Sequence, residues 1–178
     1  MTFSNPAASA ATAASSYVRA LLDVIGSQDP LAVMAELSPW LDNRIRGVAE
    51  TILRQPEIPG KWSVLQVIQH LADSDLVMGY RIRMILTQDR PPLPGYDQDR
   101  WAGELQYDRV PLTLALHQLR ALRAANLHLW TSLTPPQLQR VGLHAERGPE
   151  SIEHLLRLLG AHDLVHRRQI DRILSSLR

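Results

Sequence analysis

Apolar side chains recur every three or four residues along most of the chain, which is the spacing of one face of an α-helix. Segments in which apolar and polar residues alternate, as on a half-buried β-strand, are hard to find. Capping residues, prolines and glycines separate the periodic segments and mark where helices begin and end. The pattern therefore predicts an all-α fold.

The positions of capping residues, prolines and glycines predict where the helices lie. An alanine-rich helix is expected over residues 10–25, ended by Gly26. Asp29-Pro30 and Ser38-Pro39 each place a capping residue before a proline, and the second pair is expected to open a helix to about residue 54. Three further helices are predicted. A capping box of Ser63 and Gln66 opens one that runs to about residue 87, another begins near Pro111 and ends near residue 133, and Ser151 opens a last one that runs to the C-terminus.

Four long helices with apolar stripes predict a four-helix bundle, here with an extra N-terminal helical segment. The breaker-rich turn at 55–61 is short enough to make its neighbouring helices antiparallel. The Pro- and Asp-rich segment 88–109 can cross the bundle at about 3.3 Å per residue, so its two helices are expected to run parallel. It is a candidate pocket wall or lid, or a plain crossover. We expect residues 17–178 to form a single domain and residues 1–16 to be flexible or frayed.

Composition excludes several kinds of chemistry. The 178 residues include seven histidines and no cysteine, which rules out thiolate metal sites, a thiol nucleophile and disulfide bonds. A net charge of +1 gives no basic excess for a nucleic-acid partner. No run reaches the roughly 18 apolar residues of a membrane span, and residues 1–16 lack the basic and leucine-rich regions of a secretory signal. A cytoplasmic protein with no membrane or nucleic-acid partner is expected.

Two histidines interrupt the apolar face of the last helix. That face carries Leu155, Leu159, His162, His166 and Ile170. Residues four apart project together on a helix, so His162 and His166 can chelate one divalent ion. They can equally be hydrogen-bonded residues at the edge of the core.

A third ligand is available on the helix that Ser63 opens. His70 lies on a partly inward face of that helix, and a modest stagger between antiparallel helices would bring it level with His166. The remaining histidines are weaker candidates because of their spacing or their place in a loop or near a helix start: His117, His128, His144 and His154.

Two stretches resemble a known family. The run PGKWSVLQVIQHLAD at 59–73, followed by YRIR at 80–83, and the run LGAHDLVHRRQI at 159–170 are similar to the second- and fourth-helix motifs of the DinB-like (YfiT-like) metalloenzymes. The similarity covers about residues 31–177. It implies a bundle of up-down-down-up topology, often a homodimer, with one divalent metal bound by His70, His162 and His166. Relatives commonly carry a further histidine where this chain has Arg167.

Three imidazole ligands leave open positions on zinc or nickel, the ions we expect most. Such an ion lowers the pKa of a bound water or thiol. Family members include transferases and isomerases that use low-molecular-weight thiols, so the resemblance implies a thiol-dependent S-transferase or a hydrolase with a small-molecule substrate. The thiol would come from a cosubstrate, because the chain has no cysteine. The alternative is a metal-stabilised binding or stress-response module without turnover.

Four charged residues near these motifs are candidates for supporting roles. Arg81 can hold an anionic substrate or form a salt bridge to Asp97. Asp73 and Asp163 flank the histidines and can orient an imidazole, or lie in solvent. A third hypothesis is an interaction protein that pairs with its own copy, anchored by four tryptophans that core packing explains equally well: Trp40, Trp62, Trp101 and Trp130.

Overall fold

The computed structural model describes residues 10–177, with side chains from residue 16 onward. The expectation for residues 1–16 lies largely outside that range and stays a prediction. The helices, in chain order, are α1 Ala10–Ile25, α2 Pro30–Ile45, α3 Glu50–Leu53, α4 Val64–Thr87, α5 Gln98–Glu104, α6 Leu112–Trp130, α7 Pro135–Leu138 and α8 Ile152–Ser176. The strands are β1 Pro92–Leu93, β2 Val141–His144 and β3 Gly148–Ser151.

Helices α2, α4, α6 and α8 form the predicted four-helix bundle, with α1 packed against α8 as the extra N-terminal helix. Side-chain contacts give their directions. From α4 to α6 the bonded pairs are Gln69–Gln118, Asp75–Arg123 and Arg83–Asn126, which advance together along both helices. The two helices that flank the crossover are therefore parallel, as the sequence predicted.

The other helix pairs complete the topology. Arg167 lies 3.5 Å from Glu36, and Arg44 pairs with Asp171, so α2 and α8 run in the same direction. Across α2 and α6 the pairs are Asp42–Arg120 and the Met34 carbonyl with Arg123, which advance in opposite directions. The bundle is thus up-down-down-up, in agreement with the expectation.

The two helices that carry the candidate ligands begin at residues that the sequence identifies. The Ser63 hydroxyl accepts a bond from the Gln66 N–H at 3.3 Å, and the Gln66 side chain accepts from the Ser63 N–H at 2.9 Å. Ser151 accepts a bond from the His154 N–H at 3.1 Å and caps α8. These caps satisfy backbone donors that a helix start leaves free and fix the register of both helices.

The prediction that Ser38-Pro39 opens a helix is wrong. The helix begins at Asp29-Pro30 and continues through Pro39. Proline there removes a backbone bond to the carbonyl of Ala35, but both residues are exposed, so water can reach that carbonyl. The expected continuation to residue 54 is also wrong, because the helix stops at Ile45 and Gly47 adopts a φ of +74° before α3.

A small sheet, which the sequence pattern did not predict, joins the crossover to the α6–α8 connection. Strand β1 pairs in parallel with β2, with Leu93 opposite His144, and β2 pairs antiparallel with β3. A Cβ at Gly142 would lie only 2.6 Å from the Leu93 side chain, so the close packing of β1 on β2 requires glycine. The segment 88–109 is therefore a structured crossover that contains β1, α5 and a 3₁₀ turn at Tyr107–Arg109.

Most of the tryptophans contribute to packing within the chain. Trp130 is buried in the core, and the three others are partly buried. The rings of Trp62 and Trp101 pack against His70 and Tyr96, at centroid distances of 4.9 and 4.7 Å. Within residues 10–177, no helix is both long enough and apolar enough to cross a membrane.

Candidate metal centre

Helices α4 and α8 bring His70, His162 and His166 together. The Nε2 atom of His162 lies 3.0 Å from the Nε2 atoms of both other histidines. One ligand atom from each residue falls within 4.8 Å of the others, and the described part of the chain holds no second group of this kind. The structure therefore brings together the three histidines that the sequence selects, while metal binding itself stays a prediction.

The position of each ring follows from local structure. His162 and His166 stand one turn apart on the inward face of α8, and His70 faces them from the second turn of α4. His70 is 1% exposed, and the indole of Trp62, just before the cap of α4, packs against its ring. Helix register and this aromatic contact hold His70 towards α8.

Burial determines the protonation of the three rings. Desolvation lowers the pKa of His162 to about 4, with a smaller repulsion from Arg123, and it lowers the pKa of His166 to about 3. The pKa of His70 falls well below its usual value, mainly through burial and then through repulsion from the other two rings. All three imidazoles are therefore neutral at pH 7, which is the state that binds a metal ion.

One further residue, Gln169, orients a ring. The Nδ1–H of His166 donates to Gln169 Oε1 over 2.7 Å, so the lone pair of His166 is on Nε2 and faces the cluster. Sequence reasoning did not select Gln169, although its place three residues after a ligand on the same helix was available as a clue. The Nδ1 atoms of His70 and His162 are buried and have no hydrogen-bond partner among the described residues.

The donor set fits a divalent ion. Neutral nitrogens 3.0 Å apart cannot all satisfy one another, because at most one proton fits between any two. Nitrogen ligands that lie about 2.0–2.1 Å from a zinc ion are themselves roughly 2.9–3.4 Å apart, and the two separations of 3.0 Å from His162 fall in that range. Three histidines leave open coordination positions, which is typical of catalytic rather than structural sites.

A cavity of about 380 Å³ lies beside the cluster and reaches His162. A second space of about 110 Å³ also reaches His162. Tyr17, Arg81, Tyr96 and Arg147 line both, so the two spaces adjoin. The crossover and the α6–α8 connection supply much of the wall, which supports the expectation that the crossover borders a pocket.

The two candidate aspartates bond to groups other than the imidazoles. Asp163 is fully buried, and both its oxygens accept bonds from Arg123. Asp73 is 5% exposed and accepts bonds from Tyr107 at 2.5 Å and from Gln118 at 2.9 Å. Neither carboxylate is a solvent-facing charge, the alternative that the sequence left open.

The suggested Arg81–Asp97 salt bridge is not formed. Arg81 donates from Nη2 to the Pro94 carbonyl at 2.5 Å, whereas Asp97 caps α5 by accepting from the N–H groups of Asp99 and Arg100. Both Arg81 and Asp97 nevertheless line the 380 Å³ cavity.

Of the remaining histidines, only His144 reaches the site. It is 4% exposed and lines the larger cavity, and burial lowers its pKa to about 4. His117 and His128 are exposed on α6, and His154 lies 3.8 Å from Glu150. Arg167 stacks over the Trp40 ring at 4.9 Å, so it faces α2 and away from the three rings.

Sequence similarity relates the chain to a known family. The model of the DinB superfamily matches residues 40–170. A protein of Oceanobacillus iheyensis named "Putative metal-dependent hydrolase" is 33% identical over 110 residues, which are 60% of this chain and 63% of that protein. The match thus spans less than two thirds of that relative. A Bacillus mycoides protein of the same description is 27% identical over 76% of this chain and 78% of its own length.

The fold is also found in a solved structure. It is YfiT from Bacillus subtilis, described as "a probable metal-dependent hydrolase with an unusual four-helix bundle topology". The two structures superpose with a TM-score of 0.73 at 25% identity, over 82% of this chain and 86% of that one.

Proposed function

The chain belongs to the DinB superfamily, and from that premise we propose that it is an enzyme that uses one divalent ion, held by His70, His162 and His166, to act on a small molecule. The observation that carries this proposal is the convergence of three neutral Nε2 atoms at the edge of a 380 Å³ cavity. A purely structural site would be closed by a fourth protein ligand, whereas this one adjoins space for a substrate.

A divalent ion bound there would lower the pKa of a water or thiol ligand and polarise a carbonyl group. Water as the nucleophile gives a hydrolase, which agrees with the names of the relatives. A diffusible low-molecular-weight thiol gives an S-transferase, and the chain's lack of cysteine requires that any thiol be external. The protein residues hold the nitrogen ligands neutral, orient His166 through Gln169, and enclose the substrate beside His162.

The first experiment measures metal content and turnover on untagged protein reconstituted with zinc or nickel. We expect one ion per chain, and metal-dependent activity in a panel that pairs glutathione or cysteine with 1-chloro-2,4-dinitrobenzene and includes 4-nitrophenyl acetate for hydrolysis. His162→Ala should lose both the ion and the activity. His117→Ala, which changes an exposed histidine on α6, should retain both.

Two outcomes would contradict the proposal. Wild-type protein that binds no ion after reconstitution would remove the metal centre itself. Metal-loaded protein that turns over nothing, and whose melting temperature falls sharply on chelation, would instead support the non-catalytic, metal-stabilised module.

A further inference from the structure

Among the described residues two arginines are buried in the interior, and only one of them forms salt bridges. Arg123 is 3% exposed and forms salt bridges with Asp75 and Asp163. Arg81 is 5% exposed, yet it donates a hydrogen bond to the uncharged Pro94 carbonyl, and its Nε atom is buried without a partner. No carboxylate within the described residues lies within 4.0 Å of its guanidinium. A buried charge without a counter-ion is costly, so this position calls for an explanation.

The surroundings of Arg81 compensate its charge only in part. Burial, and then repulsion from Arg147, lower the pKa of Arg81 by more than the weaker attractions of Tyr96 and Glu150 raise it, and a guanidinium stays charged in proteins. Arg147 is itself neutralised by a bidentate salt bridge to Glu150, with distances of 2.6 and 2.9 Å. Asp97 and Glu146 line the larger cavity together with Arg81, but neither forms a salt bridge with it, and Asp97 already accepts two backbone bonds at the start of α5.

The smaller space shows what else the site would accept. Arg81 and His162 both line it, and no acidic residue does. Its remaining wall is largely apolar, with Val18 and Leu21 from α1, Val77 and Met78 from α4, and Leu158 and Leu159 from α8. One uncompensated cation beside a short apolar recess matches a monoanion that carries a small hydrophobic group.

We propose that Arg81 anchors the carboxylate of the substrate, so that the enzyme acts on small organic carboxylates whose apolar part occupies the recess between α1, α4 and α8. This inference rests on the proposed function, since it places the anchored molecule beside His162. A carboxylate carries one negative charge and matches one free guanidinium, whereas a phosphate dianion would leave a charge unbalanced. Arg81 is thereby a binding residue for the substrate and not a metal ligand.

The test measures binding rather than turnover. Metal-loaded protein is titrated with butyrate, and with butyramide as the neutral analogue of the same shape, by calorimetry. We expect butyrate to bind and butyramide to bind at least tenfold more weakly. Arg81→Gln should weaken butyrate binding roughly 10- to 100-fold, the loss of one charge-assisted hydrogen-bonded contact, with unchanged metal content. Arg46→Gln, which removes an exposed arginine, should bind butyrate as the wild type does.

Several results would overturn the proposal. Equal butyrate affinity in wild type and Arg81→Gln removes the anchor, even if the metal-loaded enzyme is active. Tighter binding of inorganic phosphate than of butyrate removes the carboxylate assignment. Failure to bind metal at all would instead count against the proposed function, so the two failures are distinguishable.

A second measurement covers the case in which Arg81→Gln does not fold. Wild-type protein is treated with phenylglyoxal, and modification of Arg81 is followed by mass spectrometry with and without butyrate. Protection of Arg81 at saturating butyrate, with exposed Arg46 modified equally in both samples, supports the anchor. Equal modification of Arg81 in both samples contradicts it.

Discussion

Two buried polar clusters lie side by side in this bundle and are completed in opposite ways. In one, Arg123 lies between Asp75 and Asp163, and Asn126 donates to Asp75, so donors face acceptors throughout. In the other, three imidazoles direct the same kind of nitrogen at a single point. The first cluster satisfies itself with residues of the chain, whereas the second directs nitrogen atoms at one another and matches the donor set of the proposed metal ion.

The two clusters also share a helix turn. His162 and Asp163 are consecutive on α8, and side chains of consecutive helical residues point about 100° apart. His162 therefore faces α4 and the cavity, while Asp163 faces Arg123 on α6. We infer that the ion-paired cluster holds the helices in register and that the histidine cluster carries the chemistry. Three substitutions test this division.

The largest expected loss of folding stability follows from a substitution in the ion-paired cluster. Arg123→Met leaves Asp75 and Asp163 buried without a counter-ion and should lower the free energy of unfolding by about 3–5 kcal/mol. Urea denaturation measures it. Arg120 lies on the same helix as Arg123 and forms a half-exposed salt bridge with Asp42. Arg120→Met should therefore lower the free energy of unfolding by less than about 1 kcal/mol. Equal losses in the two variants would mean that the buried cluster has no special role in stability.

An intermediate effect is expected at the residue that orients His166. Gln169→Leu removes the acceptor for its Nδ1–H and should weaken metal binding about 10- to 100-fold, as measured by competition with a chelating dye. Gln169→Glu keeps an acceptor at this position and should retain wild-type affinity or exceed it. If Leu and Glu at this position bind metal equally well, the hydrogen bond does not control the ring.

Substitution of a histidine in the cluster should abolish metal binding and yet have the smallest effect on the free energy of unfolding. His70→Leu should abolish metal binding, yet the metal-free variant should unfold within about 1 kcal/mol of metal-free wild type, because an apolar side chain replaces a buried ring whose Nδ1 has no partner. Metal analysis and urea denaturation of the stripped proteins check both statements. A large loss of stability in the metal-free state would place His70 with the structural cluster.

The sequence was informative where a pattern extends over many residues. The four long helices, their caps at Ser63 and Ser151, and the inward histidines all follow from a helical period sustained over several turns. The family resemblance, now confirmed, pointed to the same three histidines as the helical faces and supplied the full up-down-down-up topology. Strands of two to four residues contain too little pattern to be recognised, so the sheet was missed, and with it the place of His144 in the cavity wall.

The sequence also did not predict which charged residues pair with one another. The sequence does not reveal which of several aspartates an arginine will meet, because that depends on the distance between helices that are far apart along the chain. Asp163 and Arg123, 40 residues apart, form a buried pair, while Arg81 and Asp97 remain separate although both line the same cavity. A polar residue on an apolar stripe is a sign that some partner exists, but it does not identify that partner.

The pairing of β1 with β2 has a consequence for how this architecture can diversify. The three histidines are on bundle helices, whereas Tyr96, His144 and Arg147 come from two connections that the small sheet joins. Insertions and exchanges in connecting segments leave a helical core intact more readily than changes within it. One unaltered histidine-bearing bundle can therefore carry different pocket linings, each selecting a different molecule.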